Sequence, residues 1–195
     1  PQPPPQTNLI VLFSGYADVT TALANSSAKG TQGSFLSLGG GNANGKFTAV
    51  LINKFISNIT QVKTAGYKGV CFDIEEGDPG LSALFSSAFA ACVKAGLEVM
   101  VTTSHSAPYG ITDASTLVSS WVKDENITIL SPQLYTSGQE TQPDFETSMG
   151  VAWSTYKNAK AAIVPSIVKG IQYAATQSYF SQQEIDTQGY FAWAQ

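Results

Sequence analysis

Lys68-Gly69-Val70-Cys71-Phe72-Asp73-Ile74-Glu75-Glu76-Gly77 is the stretch around which the chain is organised. Val70, Phe72 and Ile74 alternate with Cys71, Asp73 and Glu75, the period of a β-strand, so the two sets point to opposite faces. Residues two apart on a strand are separated by roughly 6.6 Å, which makes the Asp73 and Glu75 carboxyls near neighbours on one face. Two carboxylates held that close cannot both ionise freely, and one keeps its proton to higher pH. A proton donor beside an anion is what glycoside cleavage needs. The plainer alternative is an acidic strand end running into the Asp78-Pro79-Gly80 turn, and the surrounding chain has to decide between them.

Working outward, Leu81, Leu84, Phe85, Ala88, Phe89 and Cys92 fall at helical spacing, with Gly96 as the stop. On the other side a helix is expected between Phe47 and Ala65, ended by Gly66. Ahead of it, Ser34 to Leu38 reads as a strand running into Gly39-Gly40-Gly41-Asn42. Leu9 to Phe13 is a continuous apolar run, the mark of a strand buried on both faces, and Ser14-Gly15-Tyr16 ends it. A modest helix follows from Val19 to Ala28, closed by Gly30. Downstream, strands are expected at Val99–Thr103, Ile127–Gln133, Ala162–Ile167 and Tyr190–Trp193. Helices are expected at Ala114–Lys123, Ser148–Ala159 and Tyr173–Ile185.

Strands and helices alternate throughout, and the strands are apolar, so βα units around a parallel sheet are expected. A barrel and an open doubly wound sheet both satisfy that pattern. No G-x-G-x-x-G follows the first strand and no P-loop is present, which leaves the nucleotide-binding version without support. In a barrel, function collects at the C-terminal ends of the strands. Those ends carry Gly39-Gly40-Gly41-Asn42, Asp73 with Glu75, Ser104-His105, Gln133 with Tyr135, and Trp193. Taken singly, the glycines read as a tight turn, Tyr135 and Trp193 as core aromatics, and His105 as a solvated loop residue. The convergence of polar groups and large aromatics at five strand ends points to a sugar site.

Composition narrows the classes. Of 195 residues, 43% are hydrophobic and only 12% charged, which fits one globular domain with a weakly charged surface. A net charge of −4 argues against a nucleic-acid partner, since phosphates need a basic patch. No apolar run reaches membrane-spanning length. Residues 1–7 begin PQPPPQ and read as a Pro-rich linker or terminal stub, leaving 8–195 as the domain. The chain opens at Pro1 rather than Met, which reads as a processed or excised form. Asn25-Ser26-Ser27, Asn58-Ile59-Thr60 and Asn126-Ile127-Thr128 are acceptor sequons and fit a secreted protein. Cys71 and Cys92 are expected as two free thiols, and one His without clustered ligands argues against a metal.

These residues together resemble glycoside hydrolase family 18, the chitinases and chitinase-like proteins, especially the compact plant and fungal type. The family's S-x-G-G is similar to Ser37-Leu38-Gly39-Gly40, and its D-G-x-D-x-D-x-E to Lys68-Gly69-Val70-Cys71-Phe72-Asp73-Ile74-Glu75. The Q-x-Y of the plant type resembles Gln133-Leu134-Tyr135, and the last-strand Trp resembles Trp193. The resemblance implies an α/β fold: a (β/α) TIM-type barrel, reduced to about seven to eight parallel strands because eight βα units typically take ~250 residues. It further implies hydrolysis of β-1,4-linked N-acetylglucosamine in chitin or chitooligosaccharides, with the substrate's own N-acetyl carbonyl as nucleophile. Glu75 would be the general acid/base, and Asp73 would orient the acetamido nitrogen. Tyr135 would hydrogen-bond the acetamido oxygen, Gln133 would position it, and Trp193 would floor the sugar subsite. Gly39, Gly40 and Tyr16 complete the substrate-binding candidates. A secreted monomer without cofactor or membrane partner is expected.

Two departures stand out, for Lys68 and Cys71 replace the first two acids of the family motif. A neutral thiol at Cys71 implies that Asp73 ionises more readily than in family members with Asp at that position, and that Cys71→Asp is tolerated and shifts the pH–rate profile. Retained Asp73 and Glu75 favour an enzyme; Cys71 and the short loops favour a chitinase-like lectin that binds without cleaving. A storage or inhibitor protein on the same scaffold is a third possibility.

Overall fold

The computed structural model describes residues 7–26 and 33–193. The expected stub at 1–6, the end of the first helix at Ala28–Gly30 and Ser27 of the first sequon lie outside them. Strands β1 (Val11–Leu12), β2 (Phe35–Gly39), β3 (Gly69–Asp73), β4 (Glu98–Ser104) and β5 (Ile129–Gln133) pair in parallel, each beside the next. Next come β6 (Ala162–Ile163) and β7 (Ser166–Ile167), which share one position beside β5, and β8 (Phe191–Ala192), which pairs with β7. The sheet is therefore a curled parallel array of seven positions, a half-barrel and a reduced (β/α) barrel. Helices α1 (Val19–Asn25), α2 (Ala49–Ser57), α3 (Ile59–Thr64), α4 (Ser82–Lys94), α5 (Ala114–Trp121) and α6 (Tyr173–Gln182) fill the connections.

Alternation along β3 sorts the side chains as its period requires. Val70, Phe72 and Ile74 join the core under the helices, where the Phe72 ring meets Phe55 at 5.3 Å and Phe89 at 5.1 Å, both edge-on. Cys71 faces the other way, into a cluster with Phe35 and Met100 that Leu9, Val11, Ile129 and Phe191 join. Above this apolar layer the inward positions turn polar. The register leaves Ser37 level with Cys71, and one step up sets Gly39 beside Asp73 and Asp73 beside Thr102, which in turn sits beside Ser131. An apolar plug thus lies beneath a polar floor at the C-terminal strand ends.

The sheet edges approach through side chains. Phe13 and Trp193 meet edge-to-face at 5.2 Å, while Val11 and Phe191 pack on the same inner cluster. Among the described residues, no ladder joins β1 to β8.

Three expected elements differ. The helix expected over Phe47–Ala65 breaks at Asn58, whose side-chain amide bonds back to Lys54 O at 2.8 Å and caps α2. The strand expected over Ala162–Ile167 splits at Val164-Pro165, since Pro165 has no N–H to give a ladder. The helix expected over Ser148–Ala159 is a loop with one 3₁₀ turn at Trp153–Tyr156. There Met149, Gly150 and Asn158 take positive φ. Ser106 also ties the segment down: its hydroxyl accepts from Ser148 N at 2.8 Å and donates to Val151 O at 2.7 Å. Tertiary hydrogen bonds override helical spacing here.

Candidate active site

Asp73 closes β3 with its side chain aimed into the half-barrel, and only 6% of it is exposed. Burial first, then the charge of Glu75 and a hydrogen bond with it, push the Asp73 carboxyl well above the usual range, against the opposing pull of Gln133. Glu75, two residues on and half-buried, is raised mainly by burial. Hydrogen bonds with Asp73 and Gln133 and the nearby His105 work against that rise, while Glu76 adds to it. Burial therefore favours the protonated form of both carboxyls, with Asp73 the deeper of the two. The neighbours read from strand alternation lie within hydrogen-bonding reach of one another.

Gln133 ends β5 and is buried, its Nε2 donating to Asp73 Oδ1 at 3.1 Å and to Thr102 Oγ1 at 3.3 Å. Thr102 in turn donates to Ser131 O at 2.7 Å, and Ser131 and Ser166 share a 2.7 Å hydroxyl contact. The polar floor is therefore a connected network rather than a set of isolated groups.

Tyr135 is half-buried beside the carboxyls, and its phenol is raised by burial and then by the charges of Asp73 and Glu75. It stays protonated, a donor over the whole working range. Its ring stacks on Trp193 with centroids 6.2 Å apart, and the indole remains 49% exposed. The indole is seated by a tight loop: Glu140 Oε1 accepts from Thr136 N at 2.8 Å and Ser137 N at 2.6 Å. At Gly138 in that loop a Cβ would come within 2.8 Å of Trp193 Nε1.

Gly39 and Gly40 are buried and serve Asp73. A Cβ on Gly39 would fall 2.2 Å from the Asp73 carbonyl oxygen, and the Gly40 N–H donates to that oxygen at 2.9 Å. Both have positive φ, +98° and +135°. Tyr16 packs its ring on the helix-side core and contributes its carbonyl, which accepts from Gly39 N at 2.9 Å. Its ring is therefore a packing group.

Sequence reading missed three features. Gly41 lies against Glu75, because a Cβ there would sit 2.2 Å from Glu75 Oε2. Tyr109 donates to Glu76 Oε1 at 2.5 Å beside the pair. His105, expected as a solvated loop residue, is instead 15% exposed and bonds Asp144 at 3.0 Å, with φ +49°. The glycine triplet was a visible signal for the first, while the other two depend on contacts between distant loops.

Cys71 also requires a correction. It is fully buried against Phe35 and Met100, so an Asp there would place a charge in an apolar layer. Both cysteines are free and buried, as expected. Among the described residues no group of three or more His, Cys, Asp or Glu is placed to hold a metal ion, and no helix is long and apolar enough to cross a membrane. Comparison with protein-family models, with curated proteins and with solved structures gives no match for this chain.

Proposed function

We propose that the chain hydrolyses β-1,4-linked N-acetylglucosamine chains with retention, using the substrate's acetamido group as nucleophile. The observation that carries this reading is the pairing of buried Asp73, held by Gln133, with half-buried Glu75, next to a stacked Tyr135–Trp193 pair. Glu75, in its protonated form, gives its proton to the glycosidic oxygen as the bond from C1 to that oxygen breaks, and Asp73 replenishes that proton through their hydrogen bond. Asp73, now anionic and held by Gln133, accepts the acetamido N–H and stabilises the positive charge forming on the ring. The acetamido oxygen closes onto C1 while the Tyr135 hydroxyl donates to it. Water then attacks C1 and the bond to the acetamido oxygen breaks, its electron pair restoring the acetamide, while the water proton returns to Glu75. Trp193 stacks under the sugar whose bond is cut.

The test is release of reducing ends from chitotetraose beside a binding titration with the same sugar. Turnover that vanishes in Glu75→Gln supports the proposal; binding without turnover from pH 3 to 8 overturns it. The second reading, a lectin, is favoured by the burial of Cys71 among apolar side chains, which leaves the site one acid short of the motif it resembles. Binding without reducing ends would establish that reading.

A further inference from the structure

His105 takes the first position after β4 and is the one histidine of the chain. Its Nε2 meets Asp144 Oδ2 at 3.0 Å, with 15% and 26% of the two side chains exposed. Both residues hang from the end of β5: His105 N donates to Gln133 O at 3.0 Å, and Asp144 N to Leu134 O at 2.9 Å. Asp144 Oδ1 is engaged too, accepting from Glu146 N at 3.0 Å. The imidazole is therefore clasped by a carboxylate that is itself fixed, at a backbone position whose φ of +49° is uncommon outside glycine.

The same segment runs alongside the candidate acid. Thr103 Oγ1 donates to Ile74 O at 2.7 Å, so β4 stays beside β3 up to its end. Gly110 N then donates to Glu75 O at 2.9 Å, which closes the turn that starts at His105 onto the backbone of Glu75. Gln133 ties in from the third side, its carbonyl on His105 and its amide on Asp73 at 3.1 Å. A charge on the imidazole favours the anion of Glu75, against the burial that favours its acid form. The other titrating neighbours of Glu75 are Asp73 and Glu76 on its own segment, Tyr109 after β4 and Tyr135 after β5. Acids and phenols carry no positive charge, which leaves that part to His105. His105 itself faces Asp144 and Glu75.

We infer that His105, clasped by Asp144, is a positioning residue that adjusts the proton on Glu75 to the surrounding pH. While the imidazole is charged, it draws Glu75 toward the carboxylate. Once that charge is lost, Glu75 keeps its proton more firmly, so the acid stays loaded into less acidic solution than it would beside a permanent cation. What this does for turnover rests on the proposed hydrolysis; the coupling of the two groups does not.

With one histidine in the chain, its ring signals can be followed by NMR without ambiguity from pH 3 to 8, beside the carboxyl carbon of Glu75. In the unaltered chain the carboxyl signal should show a second step at the pH where the ring titrates. His105→Gln keeps a donor for Asp144 and loses the charge. There the step should vanish, and Glu75 should hold its proton about threefold or more tightly, the effect of one nearby unit charge. His105→Asn, which suits the left-handed backbone, should behave alike. A carboxyl signal blind to the ring, or a ring that keeps one state throughout, would overturn the inference. So would an unchanged or weaker proton affinity of Glu75 in either variant that folds; if neither folds, the unaltered chain alone decides. The alkaline limb of kcat/KM on chitotetraose, read separately, should move to higher pH in His105→Gln. Turnover without the coupling sinks only this inference, and coupling without turnover sinks only the enzyme.

Discussion

The Nε2 of Gln133 donates to Oδ1 of Asp73 at 3.1 Å, so the end of β5 holds the end of β3 across the intervening β4. This bond opposes burial, because an amide N–H favours the carboxylate over the neutral acid. Gln133→Met removes the donor while keeping the volume. Asp73 should then hold its proton to still higher pH, as followed by carboxyl-carbon NMR titration. A downward or absent change would show that the amide does not govern the charge of the pair.

Glu75→Gln keeps the shape and loses the proton. Turnover of chitotetraose should fall by at least about 10²-fold, the range assigned to a general acid, with binding kept within about threefold. Loss of binding in step with turnover would make Glu75 a binding group instead.

Asp73 also affects stability. Its folded-state pKa lies above the unfolded value, so the folded chain binds the extra proton. Below the unfolded pKa both states are protonated and nothing is lost. As pH rises from there through the folded pKa, the unfolded chain ionises more readily and stability falls. Asp73→Asn should therefore raise stability near neutrality and flatten its pH dependence, every tenfold difference in proton affinity between the two states being worth about 1.4 kcal/mol. Denaturant unfolding at pH 4 and pH 7 checks the sign; a destabilised Asn variant at pH 7 would contradict it.

Cys71→Asp puts a carboxylate among Phe35, Met100 and Val11. The expected loss is about 3 kcal/mol or more, the scale of an unpaired buried charge. Cys71→Ala, which removes one sulfur atom, should lose less. Equal stability of the Asp variant and the parent at pH 7 would mean that the apolar layer admits water.

Two glycines should respond differently. Gly39→Ala meets the Asp73 carbonyl at 2.2 Å and a φ of +98°, so backbone strain of about 1–3 kcal/mol adds to a clash that cannot relax. Gly41→Ala meets Glu75 Oε2 at 2.2 Å, the far end of a flexible side chain that can swing aside. It should leave Tm nearly unchanged and lower kcat/KM by up to about 10²-fold through misplacement of the acid. A Gly41→Ala enzyme of full activity would show that the carboxyl does not work from where it rests.

The carboxyl pair was legible because β3 must alternate, and a strand buried on both faces still has to send Asp73 and Glu75 to one side. The order of strands was legible for a similar reason, since apolar runs separated by helix-length segments admit few arrangements. His105 was not, because its partner Asp144 lies in a loop 39 residues away. Neither was the loop over 148–159, where apolar spacing suits a helix but Ser106 claims the backbone. Gly39 and Gly40 were recognisable as special, but not their use. Only the packed neighbours show that they make room for Asp73 while Gly41 makes room for Glu75.

Trp193 belongs to two structures at once. It is the exposed face beside Tyr135, and through Phe13 it is also a stitch between the first and last strands, whose backbones share no ladder among the described residues. A guest lying on that indole would weigh on the weakest join of the sheet. Its binding energy would then be felt as mechanical closure: at a hundred times its Kd, a ligand adds about 2.7 kcal/mol to the folded state. Opening of the β1–β8 seam would become the motion that occupancy suppresses first.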